Sequence, residues 1–317
     1  MVTGSDNKNR HTVVSSVIPD DYDGKMVKEF IRNRLQISRR FLRKIVQEQG
    51  VRVNGLPVFL TSRLRSGDLL ELFHEPERSE FIRPETMPLD IVYEDADLLV
   101  LNKPAGQVVH PTKGHYEGTL ANGVVDYWQR KGETARFRPL HRLDKDTTGL
   151  LLITKNQYAH HKLSQQLLAK KVRREYFAIV HGNLREEELT IRAPIRRLEG
   201  HPTARTVASD GQTAVTHVSV FERLAEGTVV RLRLETGRTH QIRVHMSHIG
   251  HPLYGDPLYG IGEPDGINRQ ALHAVKLCCT HPRIGTHLEW QAELPADMKM
   301  LLHLLRNGQP NLNSKGG

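Results

Sequence analysis

The sequence predicts an α+β protein, in which a small basic α/β module precedes a mixed, mostly antiparallel central sheet with flanking helices and loops. From residue 89 onward, short apolar or alternating segments typical of strands outnumber the helical ones, which favours a mostly antiparallel sheet. Before residue 76, two short helical patterns are followed by a hairpin signal. Residues 76–88, which are rich in proline and charge, have the composition of a linker.

These patterns divide the chain into five parts. We expect residues 16–75 to form the amino-terminal module and residues 89–306 to form the main domain, joined by the linker at 76–88. Residues 1–15 and 307–317 are polar and are expected to be disordered tails.

The amino-terminal module is expected to contain two helices between residues 25 and 50. Apolar residues recur at helical spacing from Met26 to Leu35. Ser38 can cap the second helix, and Gly50 ends it. Asn54-Gly55 then predicts a hairpin, so the two helices pack on a small sheet.

The main domain is expected to combine many short strands with few helices. Strands are predicted at residues 91–93, 98–101, 149–154, 176–180, 217–221, 230–234 and 288–294. Helices are predicted at residues 157–171 and 239–249, and Gly250 ends the second of them.

Charge indicates a polyanionic partner, usually nucleic acid, although solubility alone is an alternative. The net charge is +9. The segment from Lys25 to Arg52 contains nine basic residues and only two acidic ones, Glu29 and Glu48. It therefore carries much of the excess positive charge of the chain. Clustered positive charge is what phosphate binding requires. No segment approaches the roughly 20 apolar residues of a membrane span, and the amino terminus lacks a secretory signal, so we expect a cytoplasmic protein.

Cysteine and histidine usage favours no metal site. Cys278 and Cys279 are adjacent, which disfavours a disulfide, and we interpret both as packing residues. A histidine cluster leaves metal binding as a minor alternative, but no cysteine or carboxylate completes a familiar set of ligands. Its members are His240, His245, His248 and His251.

Asp144 is the first candidate for chemistry. It lies in the run HRLDKDTTG at residues 141–149, where basic residues flank it and a buried strand follows. A carboxylate held in its charged form by fixed cations can act as a nucleophile, a base or a metal ligand. A surface salt bridge at a turn explains the same residues about equally well.

A second run, at residues 235–245, concentrates Arg238, His240 and Arg243 where a strand ends and a helix begins. Helix amino termini and arginines both bind anions. Arg243 shares a helix with apolar residues, so its guanidinium would need a carboxylate partner, for which Asp144 is plausible. Tyr176, on a predicted strand, is more simply interpreted as a core aromatic.

Three runs together resemble the RluA/RluD-type family of RNA pseudouridine synthases. They are HRLDKDTTG at 141–149, REYFAIVHG at 174–182 and TGRTHQIRVH at 236–245, supported by LNKPAG at 101–106 and GHPLYGD at 250–256. Thr148 and Arg174 replace the more usual serine and lysine, and they keep the hydroxyl and the charge. Residues 38–55, followed by Gly67-Asp68, resemble the alpha-L RNA-binding domain of ribosomal protein S-four.

The resemblance implies a pseudouridine synthase fold and a reaction that needs no cofactor. Asp144 would start cleavage of the glycosidic bond after base flipping, by attack at the ribose anomeric carbon, by attack at uracil carbon 6, or by removal of a proton from ribose carbon 2. Arg243 would keep Asp144 ionised and aimed, and Tyr176 would stack on the uracil. The expected RNA contacts are made by Lys103, Arg142, Arg238, His240, Arg39, Arg40, Arg43 and Lys44.

The expected substrate is large-subunit ribosomal RNA, with transfer RNA as the alternative, and the expected state is a monomer. Two other functions are alternatives. One is a non-catalytic RNA-binding factor for ribosome assembly, which the presence of Asp144, Tyr176 and Arg243 argues against. The other is a metal-dependent nuclease that uses the histidines.

Overall fold

A computed structural model of the chain describes residues 11–112, 114–261 and 266–307. Most of the two expected tails, residues 1–10 and 308–317, therefore lies outside the described residues. No helix in the described ranges is long and apolar enough to cross a membrane.

The amino-terminal module is a four-stranded antiparallel sheet with two helices. Its elements are β1 (His11–Val17), α1 (Val27–Asn33), α2 (Arg39–Gln47), β2 (Val51–Val53), β3 (Leu56–Pro57) and β4 (Leu69–His74), with strand order β1-β4-β2-β3. Both predicted helices are confirmed, and the Ser38 hydroxyl accepts the backbone N–H of Phe41 at 3.2 Å. Asn54 and Gly55 form the predicted hairpin turn with φ of 50° and 79°.

The prediction that residues 11–15 belong to a disordered tail is wrong. These residues form most of β1, which pairs with β4 along its length. Val13 and Val14 are buried in the core of the module. The strand covers an edge of β4 that would otherwise present unpaired backbone groups, and this explains why a polar segment is ordered.

The main domain is built on one large mixed sheet, as predicted. Its strands are β5 (Ile91–Glu94), β6 (Leu98–Lys103), β7 (Arg138–Pro139), β8 (Thr148–Thr154), β9 (Arg173–His181), β10 (Glu188–Arg192), β13 (Val215–Arg223), β14 (Gly227–Leu234), β15 (Leu272–Thr280) and β16 (His287–Gln291), while β11 (Ile195–Arg197) and β12 (Arg205–Val207) form a separate hairpin. The order is β10-β13-β14-β9-β15-β8-β6-β5, and β8 with β15 is its parallel pair. The helices are α3 (Leu120–Arg130), α4 (Gln157–Leu168), α5 (Gln241–His248) and α6 (Ala296–Arg306).

Alternation along β9 separates the two faces of this sheet. Tyr176 and Ala178 join the largest apolar cluster, to which α3 contributes Trp128 and α5 contributes Ile242. Ile179 joins another cluster, formed with α6. Because successive strand residues point to opposite faces, Tyr176 and α5 lie on the same side of the sheet.

The module packs against the main domain. Tyr158 of α4 is buried in the core of the module. Arg283 forms a bidentate ion pair with Asp97 at 2.6 and 2.7 Å, and it also donates to the backbone carbonyl of Val13. The main domain thus contributes both an apolar and a charged side chain to the contact with the module.

Candidate active site

The Asp144 loop connects β7 to β8. Leu143 anchors it by packing in the largest apolar cluster, while the Asp144 side chain remains about a quarter exposed (26%). The backbone N–H of Thr147 donates to the carbonyl of Asp144 at 3.1 Å and closes a turn. The loop therefore presents a partly exposed carboxylate from a rigid base, as a reacting group requires.

Buried Lys103 holds this loop through hydrogen bonds to backbone carbonyls. Its ammonium is buried (1% exposed) and donates to the carbonyls of Pro104, Gln107 and Lys145 at 2.8, 2.9 and 2.7 Å. Burial lowers the pKa of Lys103 to about 7, against the opposing effect of the nearby acidic groups of the loop. All three ammonium protons are used inside the protein, so the prediction that Lys103 contacts RNA is wrong.

Two residues that precede β15 complete the support. Arg269 is held by a bidentate ion pair with Asp297 and donates to the carbonyl of Asp146 at 3.1 Å. The side chain of Gln270 donates to the hydroxyl of Thr147 at 3.1 Å. Neither residue was predicted from the sequence, because both lie more than 120 positions away from the loop.

Gly149 lets β8 and β15 approach each other at the end of the loop. Its φ is 108°, and a Cβ atom at this position would lie 2.3 Å from the carbonyl oxygen of Ala274. The hydroxyl of the preceding Thr148 is buried and lies 2.8 Å from Nδ1 of His273 on β15. The parallel pairing of these strands thus fixes where the Asp144 loop ends.

We expect Gly149→Ala to lower the free energy of unfolding by about 2–4 kcal/mol, because it adds steric overlap to a left-handed backbone. The matched control is Gly132→Ala, where φ is 69° and no atom lies within 4 Å of the added Cβ, so the expected loss is only about 1 kcal/mol. Urea unfolding of both variants measures the difference. Equal losses would contradict the close approach of β8 and β15.

Arg243 contacts two carboxylates. Its Nε and Nη2 donate to Asp256 at 2.7 Å each, and its Nη1 lies 3.4 Å from Oδ2 of Asp144. The side chain of Asp256 is fully buried and that of Arg243 is 6% exposed. Burial opposes the charge of Arg243, but Asp256 and Asp144 together raise its pKa.

This geometry changes the expected pairing. The predicted contact between Arg243 and Asp144 is present, but it is longer than a strong charge-assisted hydrogen bond, which lies near 2.7–2.9 Å. Asp256 is the stronger partner and fixes the guanidinium, while Asp144 stays loosely held and accessible. The sequence signal for Asp256 was its position at the end of the run GHPLYGD.

Tyr176 is buried (4% exposed) in the largest apolar cluster, which also contains Leu143 and Ile242. Burial raises the pKa of the Tyr176 hydroxyl, and the negative charge of Asp144 acts in the same direction. The hydroxyl therefore stays protonated at neutral pH. Tyr176 belongs to the core, as its strand position suggested, and it also lies within electrostatic reach of Asp144.

The histidine cluster is not arranged as a metal site. His245 is fully buried and uses both ring nitrogens, which lie 2.9 Å from the hydroxyl of Thr216 and 2.8 Å from the carbonyl of Ala193. His240 uses Nδ1 with the hydroxyl of Tyr259 at 2.9 Å, and its φ of 57° delays the start of α5 to Gln241.

Within the described ranges, one group of side chains has the spacing of a metal site, namely Cys278, His287 and Glu289 on β15 and β16. Burial and the hydrogen bond to Glu289 raise the pKa of Cys278 to about 11, and Lys276 pairs with Glu289 at 2.7 Å. A protonated thiol and a neutralised carboxylate are poor ligands.

Comparison with known proteins decides the family. The family model described as RNA pseudouridylate synthase matches residues 97–248, a range that contains Asp144, Tyr176 and Arg243. The RNA pseudouridine synthase YlyB of Bacillus subtilis, called uncharacterized, is 46% identical over 273 residues, covering 85% of this chain and 90% of the relative. The chain belongs to the RluA/RluD-type family of RNA pseudouridine synthases.

Two further comparisons give the share of this synthase that aligns with a relative and with a solved structure. The ribosomal large subunit pseudouridine synthase D of Nitrosomonas europaea is 37% identical over 311 residues, covering 95% of this synthase and 90% of the relative. The solved structure of human RNA pseudouridylate synthase domain containing 1 has a TM-score of 0.54 at 29% identity, and it covers 69% of this synthase and 95% of that chain. The similarity therefore includes both sequence and fold.

The cations that we expected to contact RNA are not equivalent in the synthase. Arg142 and Arg238 are exposed near the Asp144 loop and the start of α5, although Arg238 also donates to the carbonyl of Thr213 at 3.0 Å. On α2, Arg39, Arg40 and Arg43 are exposed.

Lys44 differs from these cations, because its ammonium pairs with Glu77 of the linker, which also pairs with Arg138 of the main domain. Lys44 therefore joins parts of the protein, while its side chain is still 39% exposed, so its contact with RNA stays a prediction.

Proposed function

We propose that this synthase converts uridine to pseudouridine in large-subunit ribosomal RNA and that Asp144 starts the reaction. The observation that carries the role of Asp144 is its geometry: a partly exposed carboxylate lies beside an arginine that a second, buried carboxylate holds in place. The substrate is supported by relatives named ribosomal large subunit pseudouridine synthase D, which align over most of both chains.

The reaction is an isomerisation, so its atoms balance without a cofactor. The bond between uracil N1 and ribose C1′ breaks, a bond between uracil C5 and C1′ forms, and the proton on C5 is replaced by one on N1. Since Asp144 lies on a loop of a folded domain, the target nucleotide must leave its stack to reach the carboxylate.

Each side chain has a distinct part in this proposal. Asp144 attacks C1′ of the ribose or C6 of the uracil, or it removes a proton from C2′ of the ribose. Arg243 lies beside Asp144 and orients its carboxylate, while Asp256 fixes the guanidinium. Tyr176 supports the base and remains a neutral phenol that can exchange a proton with it.

The substrate class is tested with purified protein and two RNAs, large-subunit ribosomal RNA and bulk transfer RNA, each prepared without modifications. We expect pseudouridine, mapped by chemical labelling and primer extension, at defined sites of the ribosomal RNA and at background in transfer RNA. Modification of transfer RNA alone would contradict the proposed substrate. Tight binding to both RNAs without any pseudouridine would favour a non-catalytic assembly factor.

We further propose that the amino-terminal module is an alpha-L RNA-binding domain. Support comes from its two helices on a small sheet, with Arg39, Arg40 and Arg43 exposed on α2. Clustered cations bind phosphates with release of counterions, so each contact adds to affinity and to its salt dependence. We also propose that the synthase acts as a monomer in the cytoplasm, where ribosomal RNA is its partner.

Replacing Arg39, Arg40 and Arg43 together by glutamine is expected to weaken RNA binding about tenfold or more at physiological salt and to flatten its salt dependence. Filter binding at several salt concentrations measures both effects. The matched control replaces three exposed arginines outside the module, Arg83, Arg130 and Arg185, and removes the same charge. Equal losses from the two triple variants would contradict a dedicated RNA-binding role for α2.

A further inference from the structure

His240 lies at the turn that leads into α5, beside the proposed catalytic carboxylate. Its φ of 57° is left-handed, a conformation that few residues other than glycine adopt without a structural reason. Burial lowers the pKa of His240, and the charge of Asp144 opposes this shift. The ring is therefore neutral at pH 7 and lies within electrostatic reach of Asp144.

The hydroxyl of Tyr259 determines which ring nitrogen of His240 carries the proton. The backbone N–H of Arg205 donates to this hydroxyl at 2.7 Å, and Nδ1 of His240 lies 2.9 Å from it. A phenol has one proton to donate, and an amide N–H can only donate. Donation from the Tyr259 hydroxyl to Nδ1 uses the hydroxyl proton within the protein, and on this ground we assign the proton of the neutral ring to Nε2.

Tyr259 also contacts the second group beside Asp144. The guanidinium of Arg243 stacks over the Tyr259 ring, 5.1 Å from its centroid. The backbone N–H of Tyr259 donates to Asp256 at 3.1 Å, which fixes the ring relative to the buried ion pair. One side chain thus orients both Arg243 and His240.

We propose that Tyr259 is a positioning residue that holds His240 as its Nε2–H tautomer, and that this N–H donates to an oxygen of the flipped nucleotide beside Asp144. The inference rests on the proposed function, because it requires a nucleotide at Asp144. It assigns an atom and a tautomer to His240, whose side chain then touches the substrate directly.

Two substitutions at His240 separate this role from a purely backbone one. The amide nitrogen of glutamine reaches close to the place of Nε2, whereas that of asparagine reaches the place of Nδ1. Asparagine tolerates the left-handed backbone better than glutamine does. We therefore expect His240→Gln to keep most of the single-turnover rate and His240→Asn to lose about tenfold, the effect of one hydrogen bond made in the transition state. An equal or faster rate for His240→Asn would overturn the proposal.

The tautomer is measured by ¹⁵N NMR of the full-length protein with labelled histidine. The His240 signals are identified by their loss in His240→Gln. We expect the Nε2–H pattern in the wild-type protein and a mixture of tautomers in Tyr259→Phe, which keeps the ring over Arg243. An Nδ1–H pattern in the wild-type protein, or an unchanged pattern in Tyr259→Phe, would contradict the proposal.

Failure of this inference and failure of the proposed function give different results. If the wild-type protein forms pseudouridine but the order of the two His240 variants is reversed, only the role of His240 is wrong. If the wild-type protein forms no pseudouridine in any RNA, the proposed function is wrong, and the NMR pattern still reports the tautomer.

Discussion

Asp144→Asn is expected to reduce pseudouridine formation by at least about 10³-fold while RNA affinity stays within a few-fold of the wild-type value. The substitution keeps the shape of the side chain and removes its charge and its nucleophilic oxygen. The contact with Arg243 is 3.4 Å long and partly exposed, so its loss should cost little stability. Chemical mapping of pseudouridine and filter binding measure the two properties separately.

Asp146→Asn is the matched control, because Asp146 lies in the same loop and is also partly exposed. The backbone of Asp146, rather than its carboxylate, accepts the hydrogen bond from Arg269. We expect this variant to keep most of the activity. If both variants were inactive, the charge of the whole loop would matter rather than Asp144 in particular.

Asp256→Asn should have the largest effect on stability, a loss of about 3–5 kcal/mol, because it leaves the buried guanidinium of Arg243 without its bidentate partner. Activity should fall as well, since Arg243 is then no longer fixed beside Asp144. Thermal and urea unfolding measure the first effect, and single-turnover kinetics measure the second.

The control for Asp256→Asn is Glu222→Gln, which breaks a bidentate pair with Arg306 at the surface. The expected loss there is about 1 kcal/mol or less, because solvent screens exposed charges. A double variant, Arg243→Met with Asp256→Leu, removes both buried charges and should recover much of the stability but none of the activity. Recovery of activity in the double variant would show that the ion pair has only a structural role.

Local patterns predicted local structure well. The Ser38 cap, the Asn54-Gly55 hairpin and the apolar strand β8 each depend on neighbours in the sequence, and each is present. The helix predicted at residues 239–249 begins only at Gln241, because His240 adopts a left-handed conformation that its sequence neighbours do not reveal.

Helix α3 was not predicted, because Asn122-Gly123 has the composition of a turn. In the structure, the Asn122 side chain accepts the backbone N–H of Thr119 as part of a capping box. A Cβ at Gly123 would lie 2.4 Å from Cγ of Met87, so glycine permits the linker to pack on the helix. The Asn122 cap is a local contact, whereas the packing of Gly123 against Met87 is a tertiary contact that local patterns do not contain.

The same limit applies to the site. The motifs identified Asp144, Tyr176 and Arg243, and the structure brings their side chains into one region. They could not identify Asp256 as the main partner of Arg243, nor show that Lys103 is buried beneath the loop, because these contacts join distant segments. Residue type indicates what a side chain can do, whereas burial and partners decide whether it contacts RNA or supports the loop.

The most direct test of the role of Asp144 is the release of tritium from large-subunit ribosomal RNA labelled at carbon 5 of uridine. The measurement uses saturating protein in a single turnover, so that binding does not limit the rate. Release requires that carbon 5 lose its hydrogen, which happens only when the new carbon–carbon bond forms. We predict rapid release with the wild-type protein and none above background with Asp144→Asn, although both bind the RNA. Release by Asp144→Asn at a rate close to that of the wild-type protein would contradict the central role of this carboxylate.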